Sequence, residues 1–278
     1  MSDYVRHRFG WHRDPPDPRD YVPAHAKIKP LLQSLLRRTK LPTQVDLREY
    51  FPPVDDQRHF KACTAFACVG LLQYFERRAT GRLIEPSKLF VYKVTRRLAG
   101  WKGDSGSQLR TTWKMIRQFG IPDERFWAYD PQQLDEEPDS FAYAAARSFR
   151  SIRYVRLDAF RKPGKKILTR AMAFLAAGLP FVLGFPVADT LTREAEIYAP
   201  TARDSILGGQ SAIAVGYDTN RRIRSHKGAF LIRNSWGQEW GDAGYGWLPF
   251  VFVEERLATD LWTPLDRHWL TTGEFGLH

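Results

Sequence analysis

A cysteine stands at Cys63 with a glutamine six residues before it, in Asp56-Gln57-Arg58-His59-Phe60-Lys61-Ala62-Cys63-Thr64-Ala65-Phe66-Ala67. The apolar run from Cys63 to Tyr74 predicts a buried helix, which sets the thiol at a helix N-terminus, where backbone amides favour a thiolate. A side-chain amide held beside that thiol can donate to a developing oxyanion, so Gln57 and Cys63 together read as parts of an acyl-transfer site. Taken alone, the segment reads more readily as one carrying a buried core cysteine. His59, four residues before Cys63 in the same loop, is the nearest candidate for a base.

Two blocks in the second half add to this. One reads Gly208-Gly209-Gln210-Ser211-Ala212-Ile213-Ala214-Val215-Gly216-Tyr217-Asp218, the other Phe230-Leu231-Ile232-Arg233-Asn234-Ser235-Trp236-Gly237 followed by Trp240-Gly241. Each block alone is a strand bounded by glycine, and the pair predicts a hairpin. His226 falls in the turn of that hairpin, at the far end from Gln210 and Asn234.

The elements that must position these residues change character along the chain. Residues Met1 to Pro30 are rich in proline, arginine and aspartate, which predicts an extended arm, and Leu31, Leu32, Leu35 and Leu36 give one short amphipathic helix after it. The arm and helix occupy 1–40, a compact domain 41–262 and a tail 263–278. Within the domain, Ser87 to Arg97 and Gln108 to Phe119 predict two further helices, the second closed by Gly120 and Pro122. Short apolar runs at Phe181 to Phe185, Ala212 to Val215 and Phe230 to Ile232 predict strands. A helix-rich part over about 41–150 and a strand-rich part over 151–262 predict an α+β architecture with a cleft between the two.

The chain has 278 residues, 43% of them hydrophobic, enough to bury a full core. Its net charge of +11 would suit an acidic partner surface. The basic residues are spread along the whole sequence without a nucleic-acid motif, which argues against a nucleic-acid partner. No apolar run is long enough for a membrane span. Seven scattered histidines and two cysteines, Cys63 and Cys68, form no metal-ligand spacing, and no cofactor is expected. The two cysteines lie on different faces of the predicted helix, so no disulfide is expected and a cytoplasmic setting is the default.

Taken together, the Gln57 to Cys63 spacing, the strand reading AVGYD and the NSWG block with WG after it resemble the papain-like cysteine peptidases. Asp104-Ser105-Gly106-Ser107-Gln108-Leu109-Arg110, Phe119-Gly120-Ile121-Pro122, Gly178-Leu179-Pro180 and Gly244-Tyr245-Gly246-Trp247-Leu248-Pro249 are similar to the bacterial branch of that family. The resemblance runs from about Leu41 to Trp262. It implies a papain-like fold, with a helical left and a β-rich right subdomain. It makes Gln57 the oxyanion glutamine, Cys63 the nucleophile, Asn234 the residue that orients the catalytic histidine and Trp236 the shield of that asparagine. Gly106 lies in the cleft on the same alignment.

Two departures matter. The family's histidine should follow Gly208-Gly209, where this sequence has Gln210, and an amide neither takes the thiol's proton near neutral pH nor returns one to a leaving amine. Lys61 and Ala62 stand where the family has glycine and serine. The resulting expectation is a pseudopeptidase, a papain-like protein that binds a protein or peptide partner without hydrolysing it. The alternative is an active peptidase or acyltransferase that pairs Cys63 with a substitute base such as His59. The segment before Leu41 is shorter than the inhibitory propeptides of lysosomal relatives, and the expectation is an arm packed against the domain or a partner.

Overall fold

The computed structural model describes residues 8–33, 35–36, 40–159, 162–191, 194–272 and 275. Met1 to His7, Arg37, Arg38 and the last three positions of the expected tail lie outside the described residues. In chain order the elements are α1 (Lys29–Leu32), β1 (Gln44–Asp46), α2 (Cys63–Thr80), α3 (Lys88–Ala99), α4 (Leu109–Phe119), α5 (Ser140–Ala144), β2 (Arg153–Arg156), α6 (Gly164–Ala176), β3 (Phe181–Ala188), β4 (Ile206–Ile223), β5 (His226–Arg233), β6 (Tyr245–Pro249), α7 (Val251–Glu254), β7 (Thr259–Leu265) and α8 (Arg267–Leu270).

Helix α2 is the axis of the helical part. It is buried on nearly every face from Cys63 to Glu76, as expected of a helix that is apolar all round. Its stop is local chemistry: Gly81 takes the left-handed conformation at φ +71° and its N–H closes on the Arg77 carbonyl. α3 starts at Ser87, whose hydroxyl accepts from the Phe90 N–H at 3.1 Å. α3 and α4 pack on each other and on α2, while the other side of α2 lies against β3 and β4.

The sheet is antiparallel, in the order β2-β7-β3-β4-β5-β6, with β1 added along β4. Register explains which residues can meet. Phe185 pairs with Gln210 and Ile213 with Arg233, which puts Gln210 and Asn234 at the same end of the β4–β5 hairpin. Ile223 pairs with His226 at the opposite end, roughly 30 Å away at strand rise. The loop carrying Gln57 is tied to that same end by an Asp56–Trp236 bridge and by the Gln57 N–H donating to the Ser235 carbonyl at 2.8 Å.

The sheet extends past the expected domain end at Trp262, because β7 runs to Leu265. Trp269 in α8 stacks on Phe75 of α2 at 5.1 Å. The N-terminal arm packs against the domain, crossing from Ser107 on the helical side to Gly209 on β4, with Trp11 bridging to Ser107 in parallel sense and Tyr21 to Val155, while many of its side chains stay exposed. No helix of the described residues is long and apolar enough to cross a membrane.

Candidate functional site

Cys63 is the first residue of α2, and its side chain is completely buried. Burial pushes the thiol up to about 11, an effect that the backbone N–H groups of Ser211 and Gly10, both directed at the sulfur, only partly offset. The helix terminus on its own therefore does not make a thiolate here. Desolvation by burial outweighs it.

Gln210, Asn234, Ser235 and Gln57 form one hydrogen-bonded amide cluster beside the cysteine, and all four are buried. The Gln210 Nε2 donates to Asn234 Oδ1 at 2.9 Å and lies 3.4 Å from Gln57 Oε1. Ser235 Oγ donates to Gln57 Oε1 at 2.5 Å, and the Ser235 N–H fixes Asn234 Oδ1 at 2.9 Å. The Gln210 amide thus supplies the N–H that an asparagine-oriented imidazole would direct at Asn234. What it lacks is a basic nitrogen on the other side. Ser211, the next residue along β4, directs its N–H at the sulfur, which sets Gln210 immediately beside Cys63 in the chain's path.

Gln57 presents its Nε2 to two carbonyls, Phe60 O at 2.6 Å and Arg8 O at 2.9 Å. The second belongs to the arm, so an arm carbonyl takes the amide that the sequence reading assigns to an oxyanion. The arm is held on both sides by main chain. Ser107 N–H donates to Gly10 O at 2.8 Å, His12 N–H to Ser107 O at 3.0 Å and Trp11 N–H to Gly209 O at 2.8 Å.

Close approach explains the glycines along this track. A Cβ on Gly106 would lie 2.3 Å from the Gly10 oxygen, and one on Gly209 2.5 Å from the Trp11 oxygen. A Cβ on Gly184 would fall inside the Trp11 indole, 1.9 Å from Cε2. Only glycine at these positions leaves room for the arm. Phe9 meets Trp236 edge to face at 6.0 Å, and Trp236 meets Trp240 at 5.2 Å, so the tryptophan beside Asn234 is roofed by the arm as well.

Most of the residues singled out from sequence converge here: Cys63, Gln57, Gln210, Asn234, Gly106 and Trp236. Lys61 and Ala62 precede the helix as expected, with the Lys61 N–H donating to Asp104 Oδ1 at 2.9 Å. His59 is not drawn in. Its ring is exposed and lies against Phe60 at 4.5 Å. Among the described residues no group of three or more His, Cys, Asp or Glu side chains can hold a metal. Sequence reasoning missed the arm's own part, Arg8 to Asp14, its partners Ser107, Gly184, Gly209 and Asp260, and the place of Ser235 in the amide cluster. The signal for it was present as Phe9-Gly10-Trp11, an aromatic pair flanking a glycine inside a charged, proline-rich segment.

Comparison with known proteins agrees with this geometry. The family profile described as papain family cysteine protease matches residues 41–250. The chain is 30% identical over 280 residues to an uncharacterised peptidase C1-like protein of Acanthamoeba polyphaga mimivirus, covering 93% of this chain and 86% of that one. It is 27% identical over 212 residues to procathepsin L of Felis catus, covering 74% of this chain but only 60% of the relative's length. Among solved structures it is similar to xylellain, a cysteine protease from Xylella fastidiosa. The TM-score is 0.75 at 28% identity, with 96% of this chain and 98% of that one covered.

Proposed function

The chain belongs to the papain family of cysteine proteases, and we propose that within it this protein is a pseudopeptidase, whose cleft binds a protein or peptide segment without cleaving it. The observation that carries this reading is the seat of Gln210. Its amide is buried and donates to Asn234, one residue before the Ser211 N–H that faces the Cys63 thiol, which supports reading it in the position where the family resemblance calls for a base that can also protonate a leaving amine. Losing such a group costs about 10² to 10⁴ in rate, and more where residues act as one unit.

The state of Cys63 supports the same reading. A working site of this type holds its thiol ionised near neutral pH, whereas burial here raises the thiol to about 11. The likeness to xylellain supports placing the protein in a bacterial type of the fold, and two buried, unbridged thiols suit a reducing compartment such as the cytoplasm. The arm occupies the groove as a peptide would, with main-chain bonds on both walls, which favours an extended peptide as the class of partner. The alternative of an active enzyme using His59 is disfavoured by the exposure of that ring and its packing on Phe60.

A peptidyl activity probe that reacts only with an ionised thiol tests the proposal. At pH 7 no Cys63-dependent labelling is expected. Stoichiometric labelling that disappears in Cys63→Ala would show a working nucleophile.

A further inference from the structure

Four carboxylates converge where the arm meets the sheet: Asp14 and Asp20 from the arm, Asp158 from the segment after β2, and Asp260 from β7. Asp14, Asp158 and Asp260 are buried, and the Asp20 side chain is 8% exposed. Arg13, His25, Lys162 and Arg256 line the same pocket as Asp14, Asp20 and Asp158, but among the described residues only two guanidiniums form ion pairs with the cluster. Arg110 of α4 is spent bidentately on Asp20, at 2.8 and 2.7 Å. Arg156 of β2 is divided among Asp158 at 3.0 Å, Asp260 at 2.7 Å and Asp20 at 3.3 Å. Arg170 of α6 lies near Asp158 but donates to the Leu157 carbonyl. Cys68 of α2, Tyr154 of β2, and Asp17 and Tyr21 of the arm are further titratable groups around the cluster.

Asp14 makes no ion pair among the described residues. It accepts from neutral N–H groups, Trp262 Nε1 at 2.9 Å and the Arg110 backbone at 3.2 Å. Asp260 Oδ2 in turn accepts from two arm groups, the Trp11 indole at 3.1 Å and the Asp14 N–H at 2.8 Å. Its backbone is held in the left-handed region at φ +57°, a conformation that costs energy for any residue but glycine and must be supported by its surroundings. Docking the arm therefore removes Asp14 and Asp260 from water together, at a place where the guanidiniums are already committed. Four carboxylates against two paired guanidiniums in a buried site leave negative charge in excess, and a bound proton is the available compensation.

We propose that this cluster is a proton-loaded latch, which takes up protons as the arm docks, holds the cleft shut most firmly at acidic pH, and loosens the arm as the pH rises through neutrality. The inference rests on the reading that the arm closes the cleft. The sign follows from the direction of the shifts. Burial raises Asp14 to about 6 and Asp260 to about 8 in the docked state, and both return toward the ordinary carboxylate range when the arm leaves. Groups raised in the docked state stabilise it fully below their undocked values. That stabilisation is lost as the pH climbs through the docked ones. Each proton taken up on docking changes the docking equilibrium by about tenfold per pH unit.

Amide hydrogen exchange in the full chain reads the latch directly, at the Trp11 and His12 N–H groups that donate to Gly209 and Ser107. After correction for the intrinsic exchange rate, protection of these amides should fall about a hundredfold between pH 6 and pH 8. The β5 amides, which report global opening, should not follow. Asp260→Asn keeps the shape without the proton and should flatten the dependence to less than about threefold. Asp14→Asn, on the arm and outside the sheet, gives a shallower dependence than the unsubstituted protein and serves if the first variant misfolds. Protection that is flat in the unsubstituted protein, or equally steep in both variants, would overturn the latch. Exchange reports docking and not turnover, so Cys63-dependent hydrolysis would defeat the pseudopeptidase reading and leave this one standing.

Discussion

Replacing Gly10 by alanine should open the cleft from the arm side. A Cβ there would stand 1.9 Å from the Lys61 carbonyl oxygen and 2.6 Å from the Lys61 Cβ, and backbone cannot yield as a flexible side chain would. The arm must lift, and the three main-chain bonds around Trp11 go with it. At about 0.5 to 1.5 kcal/mol net each, their loss weakens docking by about 1.5 to 4.5 kcal/mol. Cys63 then loses the burial that holds its thiol near 11 and falls toward the ordinary value of 9.0. Two pKa units raise the thiolate fraction at pH 7 about a hundredfold. The less basic thiolate is a weaker nucleophile and gives back about tenfold of this. Alkylation of Cys63 by a small haloacetamide, followed by mass spectrometry from about pH 5 to 9, should therefore quicken at least about tenfold near pH 7 in Gly10→Ala, before any gain in access. Cys68, buried in the same helix, is the internal control. Equal rates in the two proteins, or rapid labelling of the unsubstituted protein near pH 5, would refute the reasoning.

Other outcomes follow from the same contacts. Gln210→His should lower the apparent pKa of Cys63, because a charged imidazole about 4 Å from the sulfur at an effective dielectric of about 20 is worth about 4 kcal/mol, or roughly three pKa units. An unchanged pH profile of alkylation would mean that position 210 does not face the thiol. Phe75→Ala should cost about 3 to 5 kcal/mol in urea unfolding, since Phe75 is fully buried and stacks on both Trp269 and Phe275. A loss under about 1 kcal/mol would show that α8 is not seated on α2. The loss of arm protection between pH 6 and pH 8 described above, flattened in Asp260→Asn, completes the set.

Much of the site was legible because its residues sit in short, ordered blocks. Gln57 and Cys63 share one loop and helix start, and the glycine-bounded strands around Gln210 and Asn234 set the register that joins them. The helices at 63, 88 and 109 carry their own punctuation in Ser87, Gly81 and Gly120. Strand β7 and helix α6 were not read. β7 is buried at every position and mixes threonine, aspartate and proline, so it shows no alternation. The arm was read as extended, but its place was hidden. An extended segment has no periodicity to reveal what it covers, and its partners Ser107, Gly184, Gly209 and Asp260 are scattered over about 150 residues. The carboxylate cluster stayed dark for the same reason, since Asp14 and Asp260 come from opposite ends of the chain.

The central claim is that the cleft lacks a base, not merely that it is covered. Digestion of a mixed peptide pool by Gly10→Ala and by the double variant Gly10→Ala, Gln210→His, each compared with its Cys63→Ala counterpart, separates the two directly. The account predicts no Cys63-dependent cleavage by the opened Gly10→Ala protein and detectable Cys63-dependent cleavage once the histidine is added. Cys63-dependent cleavage by Gly10→Ala alone would contradict it.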